Sequence, residues 1–236
     1  MAEKAPVCVV AGVGPGNGEA LARRFSADGY AVSMLSRRAD LLSAKLAAEL
    51  PRAKAYPCDV ADAASVTSTF AAVRTAMGEV DVLLFNAGSG VWGSIEEVSP
   101  EDFEHVWRVN ALGLFLSSRQ VIPAMKRKGQ GAIVVIGATA SRRGVAGTAA
   151  FAPAKMAQRG LAESMARHLW PAGIHVALIV VDGQVRAPAT LARFPARGEE
   201  TFIAPSGVAD IAANLVRQDR TAWSFEVEAR PYLEKW

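Results

Sequence analysis

The chain has 236 residues, is 51% hydrophobic and 21% charged, and carries a formal net charge of +3. That size and balance predict a single soluble domain over 1–236 with a sizeable core, and the weak, scattered charge argues against a nucleic-acid groove. Two cysteines, Cys8 and Cys58, give neither a disulfide framework nor metal-type spacing, which fits a reducing, cytoplasmic setting. No signal-peptide pattern or apolar run of membrane-spanning length is present, so no membrane partner is expected.

Strand-like and helix-like segments alternate along the chain. An apolar strand over 7–11 runs into a glycine-rich turn, AGVGPGNG over 11–18, and a helix follows over 19–27. Residues 31–36 read as a second strand, 40–50 as a helix opened by Asp40 and stopped by Pro51, and 53–56 as a third strand. Asp62 opens a helix that Gly78 closes after Met77, and a fourth strand over 81–85 enters Asn86-Ala87-Gly88. A looser stretch holds Gly90, Trp92 and Gly93. From Ser99 or Pro100 a long helical region runs to about Lys128, bent near Gly113, with Lys126-Arg127-Lys128 complementing the helix dipole. Residues 132–136 form an apolar fifth strand, and Arg142-Arg143 reads as a solvated loop pair. A long helix over 151–170 is stopped by Pro171 and Gly173, and a sixth strand spans 174–181. The tract 183–205 is irregular or short-helical, a helix covers 208–217, and 224–229 alternates apolar and charged residues as an edge strand does.

This alternation predicts a single-domain α/β Rossmann fold: a doubly wound parallel sheet of about seven strands with helices on both faces. Ligands then lie beyond the carboxyl ends of the strands, so Gly12, Ser36, Asp59, Asn86, Ala138 and Asp182 share one rim. The turn Gly12, Gly14, Gly16, Asn17, Gly18 is the candidate phosphate cradle. Gly12 allows the tight turn, Gly16 the approach of the phosphates, and Gly18 close helix–sheet packing. Roughly 20 positions on, where a carboxylate would take the ribose 2′-OH of NAD, stand Ser36, Arg37 and Arg38. A hydroxyl and guanidinium groups suit a 2′-phosphate, which favours NADP(H) over NAD(H). Asp59, with Val60 beside it, reads equally as an acceptor for the adenine amino group or as a cap leading the next helix.

Together these residues resemble the short-chain dehydrogenase/reductase family over essentially the whole chain. The glycine turn corresponds to the family's TGxxxGxG with Ala11 in place of Thr, and Asn86-Ala87-Gly88 looks like its NAG motif. The resemblance implies that Asn110 bends its helix and holds a water near Lys155, that Lys155 binds the nicotinamide ribose, and that Gly183 and Val185 meet the nicotinamide end. It also sets two departures. Phe151 falls on the tyrosine of YxxxK, and Ala138 on the serine thirteen positions before it. Neither supplies a hydroxyl, so both usual contacts to a substrate oxygen are missing, and losing a general acid costs ~10²–10⁴ in rate.

Candidates for the missing proton transfer are Asp182, where the family resemblance leads one to expect proline, and less strongly Thr148, Thr139 and Ser141. Asp182 reads either as an acid, base or cationic-substrate anchor, or as a turn-forming aspartate before Gly183. The candidate catalytic set is Asn110, Lys155 and Asp182. His105, His168 and His175 read as surface or structural residues. Trp92, Phe151 and the apolar residues near Phe194 and Phe202 read either as walls of an apolar substrate pocket or as simple packing, and 183–205 is the candidate lid. The resemblance further implies a homodimer or homotetramer built on the helices of Asn110 and Lys155; an alanine-rich surface over 154–166 would permit close packing, and the terminal Trp236 with Pro231 and Tyr232 reads as docking on its own or a neighbouring subunit. Two functions follow. One is an NADP(H)-dependent oxidoreductase moving hydride to or from a carbonyl or activated C=C of a small molecule; the other is a non-catalytic dinucleotide-binding sensor or assembly subunit.

Overall fold

A computed structural model of the chain describes residues 5–37 and 41–233. Arg38, Asp40 and Trp236 lie outside them. Seven parallel strands form one sheet: β1 Val7–Ala11, β2 Ala31–Ser36, β3 Ala53–Pro57, β4 Val80–Phe85, β5 Gly131–Ile136, β6 Ile174–Val181 and β7 Glu226–Ala229. Their order is β3-β2-β1-β4-β5-β6-β7, so the chain reverses its winding between β1 and β4. Strands this apolar have to be covered on both faces. Every residue of β1 and β6 is buried.

Alternation along β1 splits the core in two. Val9 and Ala11 pack with α3 (Ala63–Met77), α5 (Gly113–Lys128) and α6 (Phe151–Leu169), through Phe70, Leu114 and Ala162. Cys8 and Val10 face α1 (Asn17–Ala27), α2 (Leu41–Glu49) and α8 (Pro205–Arg217), through Leu21, Phe25, Leu46 and Val208. The helix boundaries follow their caps. Asp62 Oδ1 accepts the Ala64 N–H at 2.9 Å, Ser99 Oγ accepts the Asp102 N–H at 3.1 Å, and left-handed Gly129 ends α5 after its three cations.

Two expectations shift. The long helical region breaks into α4 (Pro100–Trp107) and α5, joined by a π-turn over Arg108–Leu112 rather than by a bend at Gly113. The alanines of α6 are no surface stripe: Ala154, Ala162 and Ala166 are buried within the chain, and the outward face presents Met156 and Gly160 instead. Among the described residues no helix is long and apolar enough to cross a membrane.

Candidate functional site

The winding reversal opens a cleft of about 440 Å³ over the carboxyl ends of β1, β2 and β4. Gly12 turns away from β1 at φ +94°, and a Cβ there would lie 2.4 Å from the Ala87 backbone nitrogen. Gly18 packs so close that a Cβ would meet the Gly12 carbonyl oxygen at 2.6 Å. Asn86 ties the two loops together by donating from Nδ2 to the Gly12 carbonyl at 2.7 Å. No side chain caps α1, whose N-terminus faces the cleft with Gly14 and Asn17 in the lining. Asn17 Oδ1 is buried without a partner. A concave wall of backbone and an open helix N-terminus fit a pyrophosphate.

At the far side of the cleft stand Ser36 and exposed Arg37 after β2, and Cys58, Asp59 and Val60 after β3. Asp59 does not cap α3; Asp62 does. Asp59 Oδ1 instead accepts the Ala61 N–H at 2.9 Å in a local turn, and the residue stays exposed on the cleft wall. Among the described residues, Asp59 is the carboxylate lining this cleft, and none stands at the end of β2.

A second cavity of about 520 Å³ continues from the first past Asn86 and Gly88. Lys155 lies at its floor, buried, donating from Nζ to the Ile136 carbonyl at 3.1 Å and to Gln158 Oε1 at 3.0 Å. Burial without a carboxylate partner pushes its pKa down to about 8. Gln158 donates from Nε2 to the Asn110 carbonyl at 3.0 Å. The Gln158 carboxamide thus links the Asn110 backbone to Lys155. Asn110 lies within the π-turn, and its Nδ2 donates to the Val106 and Ser89 carbonyls, both at 2.8 Å. Its Oδ1 is buried and unpartnered, 3.4 Å from where a Gly88 Cβ would stand.

Phe151 begins α6 one turn before Lys155, and its ring lies tilted against Trp92 with centroids 5.1 Å apart. Ala138 lines the same cavity just beyond β5, and its N–H donates to Ser141 Oγ at 3.1 Å. Ser141 is therefore engaged in holding the turn. Thr148 Oγ1 closes its own loop, donating to the Val145 carbonyl at 2.7 Å and accepting the Val145 N–H at 2.9 Å. Phe194 and Phe202 do not line the cavity; Arg197 stacks on both rings. Within 183–205, Val185 forms a bridge to Ile203, and α7 spans Pro188–Arg193. Val185 and Ala187 line the first cleft, while Gly183 and Val185 line the second.

Asp182 is buried at the end of β6. Its carboxylate accepts from the Thr139 hydroxyl and is ion-paired with Arg230, which also donates to Glu228. Strand β5 has ended before Thr139, which starts a single 3₁₀ turn and so reaches the cavity wall. The rim beyond is a chain of ion pairs. Arg142 holds Glu226 and Glu228 on β7, and Arg159 on α6 holds Glu226 and Glu163, which Arg167 also reaches. The Arg142-Arg143 pair is thus not simply solvated. Arg142 staples β7, and Arg143 lines the cavity. On the opposite rim, buried His175 has its ring nitrogens 3.0 Å from the Leu215 carbonyl and 2.9 Å from that of Ser224. It stacks on Trp223, and burial lowers its pKa.

Gln158 and Arg230 escaped the reading of the sequence, Arg143 was read only as part of a solvated loop pair, and Thr139 was weighed only as a weaker candidate, reachable because β5 ends before it. Gln158 alone had a local cue, standing three residues after Lys155 on one helix face. The other three are brought to the site by the crossovers of the sheet.

Fold and cleft define a doubly wound α/β protein whose ligand site lies at its switch point. The chain belongs to the short chain dehydrogenase family, whose sequence profile matches residues 6–193. It is 34% identical to the 2-(R)-hydroxypropyl-CoM dehydrogenase of Xanthobacter autotrophicus over 191 residues, 78% of this chain and 76% of that one. Its fold matches a short-chain dehydrogenase of Rhodopseudomonas palustris at TM-score 0.82 and 33% identity, over 96% of this chain and 99% of that one. It also matches a variant of actinorhodin polyketide ketoreductase with NADPH at TM-score 0.88 and 25% identity, over the full length of both.

Proposed function

We propose that the chain is an NADP(H)-dependent oxidoreductase whose substrate cavity lacks the family's tyrosine and serine. The carrying observation is the continuous cleft in which Gly12, Asn86, Asn110 and Lys155 are held by one connected set of backbone approaches and hydrogen bonds. The NADPH-bound ketoreductase of the same fold supports the cofactor class. Gly12, Gly14, Gly16, Asn17 and Gly18 would hold the pyrophosphate, Ser36, Arg37 and Arg38 the 2′-phosphate, and Asp59 and Val60 the adenine. Asn86, Ala87, Gly88, Lys155, Gly183 and Val185 would hold the nicotinamide ribose and carboxamide. When bound, the cofactor supplies or takes up a hydride.

This chain's own groups then determine what becomes of the proton. Phe151 and Ala138 offer none to a substrate oxygen. Asp182 is committed to Arg230 and Thr139, so it keeps the Thr139 hydroxyl hydrogen turned away and leaves that oxygen an acceptor on the cavity wall. An activated C=C or an already polarised carbonyl, which can take its proton from water, suits such a cavity. The tract 183–205 serves as the lid, since Val185 and Ala187 flank the glycine turn. Exposed Trp107 and Phe115 of α4 and α5, with Met156 of α6, serve as the contact between subunits of a homodimer or homotetramer.

NADPH oxidation over a panel of aldehydes, ketones and enones tests the reading. The wild-type protein turns over enones or activated carbonyls, and the Phe151→Tyr/Ala138→Ser variant gains ~10²-fold or more on plain ketones. A protein that binds NADPH while only the double variant turns over any of the panel is a dinucleotide-binding subunit, not an enzyme of this kind.

A further inference from the structure

We infer that the substrate is anionic, with Arg143 receiving a carboxylate or phosphate and the Trp92–Phe151 pair receiving an adjoining flat apolar group. This rests on the reading of the 520 Å³ cavity as the substrate site. Among the described residues, the charged side chains lining that cavity are Arg143 and Lys155, both cations; no carboxylate lines it. Lys155 is already spent on the Ile136 carbonyl and Gln158.

Arg143 is less committed. Its nearest acid is Asp182, at 3.8 Å, but that carboxylate already serves Arg230 and Thr139 at hydrogen-bonding distance. In the rim network described above, four carboxylates face five guanidinium groups, and the surplus cation is the one that opens on the cavity. The Arg143 side chain is 57% exposed. At 3.8 Å the Asp182 contact is beyond hydrogen-bonding distance, so a ligand anion meets a guanidinium whose donors it can take up. A planar fork of N–H donors matches carboxylate and phosphate oxygens alike.

The neighbouring surface supplies the other half. Trp92 is 57% exposed, and it lies against Phe151 across the cavity mouth. Val145, also exposed, lines the same mouth beside Arg143. An aromatic or flat conjugated group fits against these rings while its anionic end reaches the guanidinium.

Calorimetric titration of benzoate, phenyl phosphate and the neutral analogue benzamide, with and without saturating NADPH, tests this on the wild-type protein and the Arg143→Gln and Arg143→Lys variants. At least one anion should bind about tenfold more tightly than benzamide, the difference expected of a charge-assisted hydrogen bond. The preference should fall to about twofold or less in Arg143→Gln and survive in part in Arg143→Lys. Which anion binds more tightly distinguishes a carboxylate from a phosphate substrate. Benzamide binding as tightly as both anions, no binding of either anion, or a preference unchanged in Arg143→Gln overturns the inference. The arm without NADPH keeps it separate from the functional proposal. A wild-type protein that prefers the anions but does not bind NADPH sinks the oxidoreductase reading alone.

Discussion

Gly12 and Lys155 carry opposite kinds of strain, and each has a measurable consequence. At Gly12 a side chain would need a left-handed backbone and would collide with the Ala87 peptide. Gly12→Ala should therefore cost about 2 kcal/mol or more in thermal or urea denaturation, with loss of NADPH binding. Lys155 stores electrostatic strain. Its pKa of about 8 in the fold lies below the ~10.4 of an unfolded chain. Below pH 8 both states hold the proton and the fold bears the full cost of a buried charge, about 3 kcal/mol. Between pH 8 and ~10.4 the folded protein releases that proton while the unfolded chain keeps it, so this contribution makes stability rise with pH. Lys155→Met should remove that rise in denaturation curves taken across the window, while leaving the Ile136 carbonyl and Gln158 Oε1 without this donor and weakening NADPH. In the wild-type protein NADPH affinity should fall above pH 8, as the ammonium loses its charge.

The π-turn between α4 and α5 shows what an element adds to such residues. Within the turn the Asn110 side chain donates to the Val106 carbonyl four residues back while also holding that of Ser89. Asn110→Ala removes this donor from the buried Val106 carbonyl and the part-buried Ser89 carbonyl and should cost ~1–3 kcal/mol in chemical denaturation. Its effect should extend to NADPH affinity, because Gln158 leans on the Asn110 carbonyl and Lys155 on Gln158. The glycine turn, the strand ends and the helix caps were legible in the sequence because their signals are local: an apolar strand, glycines at fixed offsets, Asp62 or Ser99 before a helix. The π-turn was not, since its hydrogen-bond shift leaves no change in the apolar period of 100–128. Nor was Arg143, because Arg142-Arg143 looks like any loop pair until β7 takes one guanidinium and the cavity takes the other. The alanines of α6 misled for the same reason: small residues pack closely against a sheet as well as against another subunit.

At the scale of the whole molecule, the sheet order sets β1 beside β4 and so brings the adenine and nicotinamide halves of the proposed site into one cleft. Cofactor choice belongs to this scale, since it is decided at the β2 and β3 end, remote from Lys155. Arg37→Ala should lower the preference for NADPH over NADH about tenfold or more, with NADH affinity little changed, in parallel binding titrations. The proposed subunit contact at the exposed aromatic residues of α4 and α5 is tested at the same scale. Trp107→Glu should shift the protein toward a monomer in light scattering after size exclusion, without altering the fold seen by circular dichroism.

The Asp182–Arg230 pair spans 48 residues of chain. During synthesis β6 and the cavity floor emerge before the guanidinium that balances their buried carboxylate exists. Until Arg230 leaves the ribosome, Asp182 lacks the guanidinium that balances it in the fold, and the turn it holds through Thr139 lacks that anchor. A nascent chain stalled between β6 and β7 would lack the guanidinium that holds this wall of the cavity.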